Sequence, residues 1–361
     1  MANTTLLKHL ASPNPSLDCT RCTTGANTVN ARWDDVTSLE DWKDFNYETL
    51  MKSYGQVLQQ PIPPVPEITP PLSTLEKQIS TENTFEDVLI RTTMLEVSTA
   101  LRIAWPLCYS TDVAQDIAEI GRGAKARRGT AEEDDRYYPD WAGIRQNQVT
   151  DFGYKNLCPG ETKLASKWGT SDADQERTDH ILPFRQIQTY CGRQWGSRYG
   201  YIITPAELVV VRISKELIGP GLAVLRSVRD MSQQARTQRA HERTFSEGTI
   251  SSGMNAMSLD TGSSYNDDAN PNIEYGPLLY KSIPWSAEGD DVLTVKLALW
   301  WLHMETKHDL SIQHSYPSFQ SKSSQIKPPP SIGDSEASQQ PGVIHNPRPT
   351  QYQRKGGKKT L

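Results

Sequence analysis

The chain has 361 residues, room for one large domain with extensions or for two modest ones, and 24 prolines with 36% hydrophobic residues place a good part of it outside any core. Its mean hydropathy is −0.60 and it holds no apolar run of about eighteen residues, while Met1 to Leu10 lacks the apolar stretch of a signal peptide. A soluble intracellular protein, nuclear or cytoplasmic, with no membrane partner is therefore expected. Nine tryptophans and fourteen tyrosines argue that the part that folds has an aromatic core.

The net charge of −5 does not advertise a polyanion partner, but its distribution is uneven. Seven Lys/Arg against two acids from Ile312 to Leu361 give this tail +5 and leave −10 on residues 1–311. Such a tail adds non-specific phosphate affinity or is simply solvated. The five cysteines (Cys19, Cys22, Cys108, Cys158, Cys191) are odd in number and scattered, unlike a disulfide framework. Cys19 and Cys22 have the spacing of half a zinc knuckle with no second pair, and read as free thiols in a mobile N-terminus.

Residues 1–80 carry Pro13, Pro15, the Pro61–Pro66 cluster and Pro70-Pro71, and are expected to form a largely disordered extension with short helices around Asp41–Leu58. From Thr84, read as a helix cap with Asp87 three residues on, Phe85, Val88, Leu89, Thr92, Leu95, Glu96, Thr99, Ala100 and Ile103 recur at helical spacing. They predict one helix over 85–104, with a second over Val113–Ile120. Gly121–Asp135 is rich in glycine and charge and reads as a loop; its Gly-x-Gly is too short to cradle a phosphate.

Strands are predicted at Tyr137–Ile144, Lys155–Lys163, Arg198–Thr204 and Glu207–Ser214, the last two joined as a hairpin across Pro205-Ala206. Leu182–Trp195 lies between them with helical periodicity. Residues 226–270 read as a mobile insertion preceded by an arginine-rich run, Arg226 to Arg243. The fold resumes at Ile273–Trp285. A last helix opens at Asp290 or Asp291, with Leu293, Leu297, Trp300, Trp301 and Met304 on one face. Strands and helices in this order predict a mixed α/β core.

Three acid-x-lysine triplets occur: Asp41-Trp42-Lys43, Glu161-Thr162-Lys163 and Glu305-Thr306-Lys307. The first lies in the proline-flanked extension. The third ends the tryptophan helix, where Lys307 complements the helix dipole. Only Glu161 lies in a predicted strand downstream of another acid, Asp140. Strand residues two apart share a face, so Glu161 and Lys163 project together, with Asp140 on a neighbouring strand. Gln186 and Tyr190, four apart on the following helix, share a face beside them. Two acids can hold a hard divalent cation, and an ammonium can position or activate water beside a phosphodiester.

Pro139-Asp140, Glu161-Thr162-Lys163 and Gln186-Ile187-Gln188-Thr189-Tyr190 together resemble the PD-(D/E)xK nuclease superfamily, in its RecB-like branch with a Gln-x-x-x-Tyr helix; the flanking text resembles uncharacterised fungal members. The resemblance covers about residues 84–308. It implies a restriction-endonuclease-like core over 81–310, a mixed central sheet flanked by helices, between a disordered 1–80 extension and a basic disordered 311–361 tail. It also implies Mg²⁺ or Mn²⁺ on Asp140, Glu161 and the Thr162 carbonyl, with Lys163 positioning water or stabilising charge. The first helix is expected to add an acid, Glu96, with Glu86 behind it. The implied activity is hydrolysis of nucleic acid, DNA more than RNA; the alternative is an inactive nuclease-like fold that binds nucleic acid or protein. Two departures stand out. The segment between Asp140 and Glu161 is long for a tight hairpin, and Pro159-Gly160 breaks into the strand just before Glu161.

Overall fold

Val209, Val210 and Val211 are consecutive and all buried, which a strand achieves only when both faces of its sheet are covered. A computed structural model describes residues 4–62, 70–109, 116–126, 138–151, 153–171, 179–216, 274–308 and 310–319. In it these valines lie on β10 (Glu207–Arg212), near the middle of a seven-stranded mixed sheet flanked by helices. β9 (Tyr199–Ile203) and β11 (Leu278–Pro284) pair with β10 antiparallel on either side. Beyond β11 lies the short β2 (Leu39–Asp41), parallel to it. Beyond β9 come β8 (Gly160–Thr162), parallel, then β5 (Trp141–Arg145) and β4 (Ala118–Arg122), both antiparallel to their neighbours. A two-stranded ribbon, β6 (Val149–Thr150) with β7 (Gly153–Tyr154), absorbs the long connection between β5 and β8. A second small pair joins β1 (Thr4–Thr5) to β3 (Pro61–Ile62).

Alternation sorts the side chains. Tyr199, Tyr201, Ile203, Leu208 and Val210 face the larger core, while Ile202, Val209 and Val211 face a smaller one under α5 (Leu182–Thr189). The larger core is built on α6 (Val295–Met304), whose ten residues are all buried, Lys296 and His303 included. This helix is capped by Thr294, whose hydroxyl accepts from the Leu297 N–H at 3.2 Å, so it starts later than Asp290. It is covered on every side, not on one face, because α4 (Thr93–Cys108) packs across it from the side away from the sheet.

Four further expectations need correcting. The helix predicted over 85–104 is two: α3 (Glu82–Arg91) and α4, separated at Thr92, where φ −124° and ψ −96° leave the helical region. α3 is capped by Thr81, with Thr84 completing a capping box from the third position. Ala118–Ile120, the end of the helix predicted over Val113–Ile120, and Gly121–Arg122, the start of the predicted loop, form a strand, since they pair along their whole length with β5, while 113–115 lie outside the described residues. The extension over residues 1–80 is not a linker where it is described. α1 (Leu6–Leu10) and α2 (Tyr47–Leu58) pack into the main core, and Phe45 stacks on Trp301 at 4.2 Å. Prolines lack donors but keep acceptors, and the Pro15 carbonyl takes a hydrogen bond from Trp285 Nε1 at 3.0 Å. The core also runs past residue 310: Leu310 is buried and Phe319 lies against Trp301.

Lys307 pairs with Asp116, and Glu305 accepts from the Tyr54 hydroxyl at 2.9 Å, so the third acid-x-lysine triplet is occupied in packing. Cys22 lies against Ile79, and both it and Cys19 touch the core. The insertion, the arginine-rich run and the tail from residue 320 lie outside the described residues. Among the described residues no helix is long and apolar enough to cross a membrane.

Pro159-Gly160 proves compatible with the sheet. Pro159 stands just before β8, and its carbonyl still accepts from the Tyr201 N–H at 3.1 Å. Gly160 is required by packing: a Cβ there would lie 2.2 Å from the Tyr201 ring. Gly160→Ala is therefore expected to cost about 1–3 kcal/mol of stability, as overpacked core sites do, and a smaller residue at Tyr201 should restore part of it. Urea denaturation of the single and double variants measures both effects.

Candidate functional site

Glu161 and Lys163 leave β8 on the same face because they are two residues apart, and the Lys163 N–H extends the ladder to the Ile203 carbonyl at 3.0 Å. Their side chains meet: Lys163 Nζ donates to Glu161 Oε1 at 2.6 Å, and both residues are buried. α5 crosses that face with Gln186 and Tyr190 one turn apart. Gln186 Nε2 donates to the same Glu161 Oε1 at 2.6 Å and to the Tyr190 hydroxyl at 3.1 Å. At Tyr190 the helix widens into a π turn, Tyr190–Trp195, closed by Gly196 at φ +60°. The widening begins on the residue that faces the site.

Asp140 comes from the other side. It immediately precedes β5, and its Oδ2 accepts the Thr162 N–H at 2.8 Å, continuing the β5–β8 ladder with a side chain. The N–H and C=O of one strand residue point the same way, so the Thr162 carbonyl opens toward Asp140 as well. On the opposite face Trp141 Nε1 donates to Thr162 Oγ1 at 2.9 Å and fixes the pairing.

The electrostatics are those of a crowded, dry acidic site. Burial, then the nearby Glu161 and Glu86 carboxylates, push the Asp140 carboxyl up to about 8. Burial also raises Glu161 above the ordinary carboxylate range, against the pull of Lys163 and Gln186. For Lys163 burial acts downward, but Glu161, backed by Glu82 and Asp140, outweighs it and holds the ammonium above its ordinary value. Lys163 is thus held as an ammonium by its pairing with Glu161. Glu161 Oε2 and Gln186 Oε1 are buried with no hydrogen-bond partner among the described residues.

Glu96, the acid expected from the first helix, is paired elsewhere. That side chain lies against Lys296 Nζ at 2.6 Å, on the side of Ser12 and His9. Glu86 of α3 is close enough for its charge to act on Asp140, and Glu82, one turn earlier, acts likewise on Glu161 and Lys163. The i, i+4 spacing of Glu82 and Glu86 is the available signal, and placing the cap at Thr84 instead of Thr81 leaves Glu82 outside the helix. Glu86 pairs with Arg122 of β4, whose guanidinium lies 5.0 Å over the Trp141 ring, and Glu82 pairs with Lys167 at 3.4 Å.

Among the described residues no three His, Cys, Asp or Glu side chains stand together as a ready-made metal cage. Neither the cleft of about 470 Å³ around Leu72 and Val88 nor the one around Tyr47 and Met51 is lined by Asp140, Glu161, Lys163 or Gln186. The molecule is thus a mixed α/β protein whose central sheet carries, at the β5–β8–α5 junction, a buried network of acid, lysine, glutamine and tyrosine. Comparison with protein-family models, curated proteins and solved structures gives no match.

Proposed function

We propose that this protein is a metal-dependent phosphodiesterase acting on nucleic acid, DNA before RNA, built on a restriction-endonuclease-like core. The observation that carries the proposal is the pairing of Glu161 and Lys163 on one strand face with Asp140 beside them and Gln186–Tyr190 above. The donor set fits Mg²⁺ or Mn²⁺. Asp140, the unpartnered Glu161 Oε2 and the Thr162 carbonyl are hard oxygens, and Glu86 is a further acid whose charge acts on Asp140. Mg²⁺ keeps several waters and binds through one or two carboxylates, so two acids and a carbonyl suffice where a full cage is absent. When bound, such an ion polarises the phosphate and acidifies a water.

The chain's own groups do the rest. Gln186 and Lys163 both hold Glu161 Oε1, which leaves Oε2 as the free oxygen. Lys163, charged at neutral pH, stabilises negative charge that develops on a phosphate beside it. The Tyr190 hydroxyl fixes the Gln186 amide.

A second reading, a nuclease-like fold that binds nucleic acid or protein without cleaving, is favoured by one observation. Glu161, Lys163, Gln186 and Tyr190 are each no more than 5% exposed, so substrate does not reach them in this conformation. Incubating the full chain with plasmid and single-stranded DNA in Mg²⁺, Mn²⁺ or EDTA decides between the two. Cleavage in either metal and none in EDTA is expected; binding without cleavage under any divalent ion would leave only the second reading.

A further inference from the structure

Glu82 and Glu86 lie on one face of α3, and each is neutralised by a cation from a different part of the sheet. Arg122 ends β4 opposite Trp141, and the next N–H, of Gly123, donates to the Asp140 carbonyl at 2.8 Å, so Arg122 flanks Asp140. Lys167 lies four residues beyond Lys163, in a turn whose N–H returns to Leu164, so it flanks the lysine end of the site. The two cations thus bracket the row of acids. Their exposure differs from that of the centre: the Arg122 and Lys167 side chains are 38% and 22% exposed, against 5% for Lys163. Arg122 is also pre-oriented, its guanidinium stacked over Trp141.

Charge balance says what these cations do next. Three acids of α3 (Glu82, Glu86 and Asp87, the last 3.9 Å from Arg122) stand against Arg122 and Lys167, with the Asp140 and Glu161 carboxyls beside Lys163. A nucleic-acid phosphate that reaches the exposed ends of these pairs competes for Arg122 and Lys167 with the carboxylates of α3, of which Asp87 and Glu82 are themselves 77% and 33% exposed. A planar guanidinium fork and a mobile ammonium are the two side chains that bind phosphate best.

We infer that Arg122 and Lys167 bind the substrate phosphates on either side of the scissile one, exchanging the carboxylates of α3 for them, so that the substrate is a nucleic-acid strand and not an isolated phosphodiester. This rests on the nuclease reading above. Contacts on both sides of the reacting centre contribute only when one ligand spans them, which a strand does and a mononucleotide does not.

The test is the salt dependence of binding, with Ca²⁺ supplied as the divalent ion and a fluorescein-labelled DNA single strand or duplex as the probe. Each lost phosphate contact lowers the slope of log affinity against log salt by about 0.9 on duplex and about 0.7 on single strand. Arg122→Gln/Lys167→Gln is expected to lower it by about 1.8 on duplex and about 1.4 on single strand, which removes about a twelvefold and about a sevenfold share, respectively, of the affinity loss between about 50 and 200 mM KCl. Arg122→Lys keeps the charge and should keep the slope. If the double variant does not fold, Lys167→Gln alone carries the test, with an expected drop of about 0.9 on duplex. An unchanged slope in a folded variant overturns this inference and leaves the nuclease reading standing. Wild-type protein that neither binds nor cleaves DNA with any divalent ion overturns the nuclease reading and this inference with it.

Discussion

Glu161→Gln is expected to leave a folded protein that cleaves DNA at least about a thousandfold more slowly, a loss of about 4 kcal/mol of transition-state stabilisation. The amide keeps an oxygen for Lys163 Nζ and Gln186 Nε2, the two donors that now meet on Glu161 Oε1. What it removes is the negative charge beside Asp140. Glu161→Ala should lose cleavage equally and also fold poorly, because stranding the Lys163 ammonium in a buried site costs about 3–5 kcal/mol. Lys163→Met separates the two roles. The burial that already raises the Glu161 carboxyl lets it take up a proton once its partner is gone, so stability should fall much less while cleavage still disappears. Initial rates on plasmid DNA, paired with urea denaturation of each variant, measure both quantities. Wild-type rates in Glu161→Gln would remove Glu161 from the chemistry.

Asp140→Asn is expected to stabilise the metal-free protein strongly at pH 8 and much less, by about 1–2 kcal/mol, at pH 5. The Asp140 carboxyl lies at about 8 in the folded chain against an ordinary 3.8, so the folded state holds a proton that the unfolded state releases. The stability this confers is complete below about pH 4 and is lost as pH rises toward about 8, by at most about 1.4 kcal/mol per pH unit. Asparagine escapes the penalty because it cannot ionise, and its oxygen still accepts the Thr162 N–H. Divalent metal inverts the comparison. In wild type it binds the ionised carboxylate, so Mg²⁺ or Mn²⁺ should stabilise more at pH 8 than at pH 5 and release a proton on binding. Asp140→Asn should show neither response. Thermal unfolding in EDTA and in Mg²⁺ at the two pH values tests the pair, and a variant less stable than wild type at pH 8 in EDTA would contradict the account.

The parts of this arrangement that can be read from sequence are those set by short-range periodicity. The β9–β10 hairpin is visible in its β-branched and aromatic residues, and Glu161 with Lys163 in the two-residue repeat of a strand. Gln186 with Tyr190 follows from the four-residue repeat of a helix. What escapes such reading depends on long-range packing. Leu6, Trp42, Phe45 and Tyr54 sit among prolines and polar residues and look like linker, yet they complete the core around α6 because the sheet leaves that side of the helix uncovered. The choice of Glu96 over Glu86 turns on Thr92: one unbroken helix and two helices meeting at a corner present different faces ten residues apart. Arg122 and Lys167 carry no local signal, since each gains meaning only from an acid on α3.

Growing crystals of the full chain in Mn²⁺ and recording anomalous scattering at the manganese edge is the most direct test of the central claim. A peak held by Asp140, Glu161 Oε2 and the Thr162 carbonyl, each at about 2.0–2.6 Å, is expected. Density that shows no ion there, or an ion bound elsewhere with Asp140 and Glu161 on separate faces of the sheet, would contradict it.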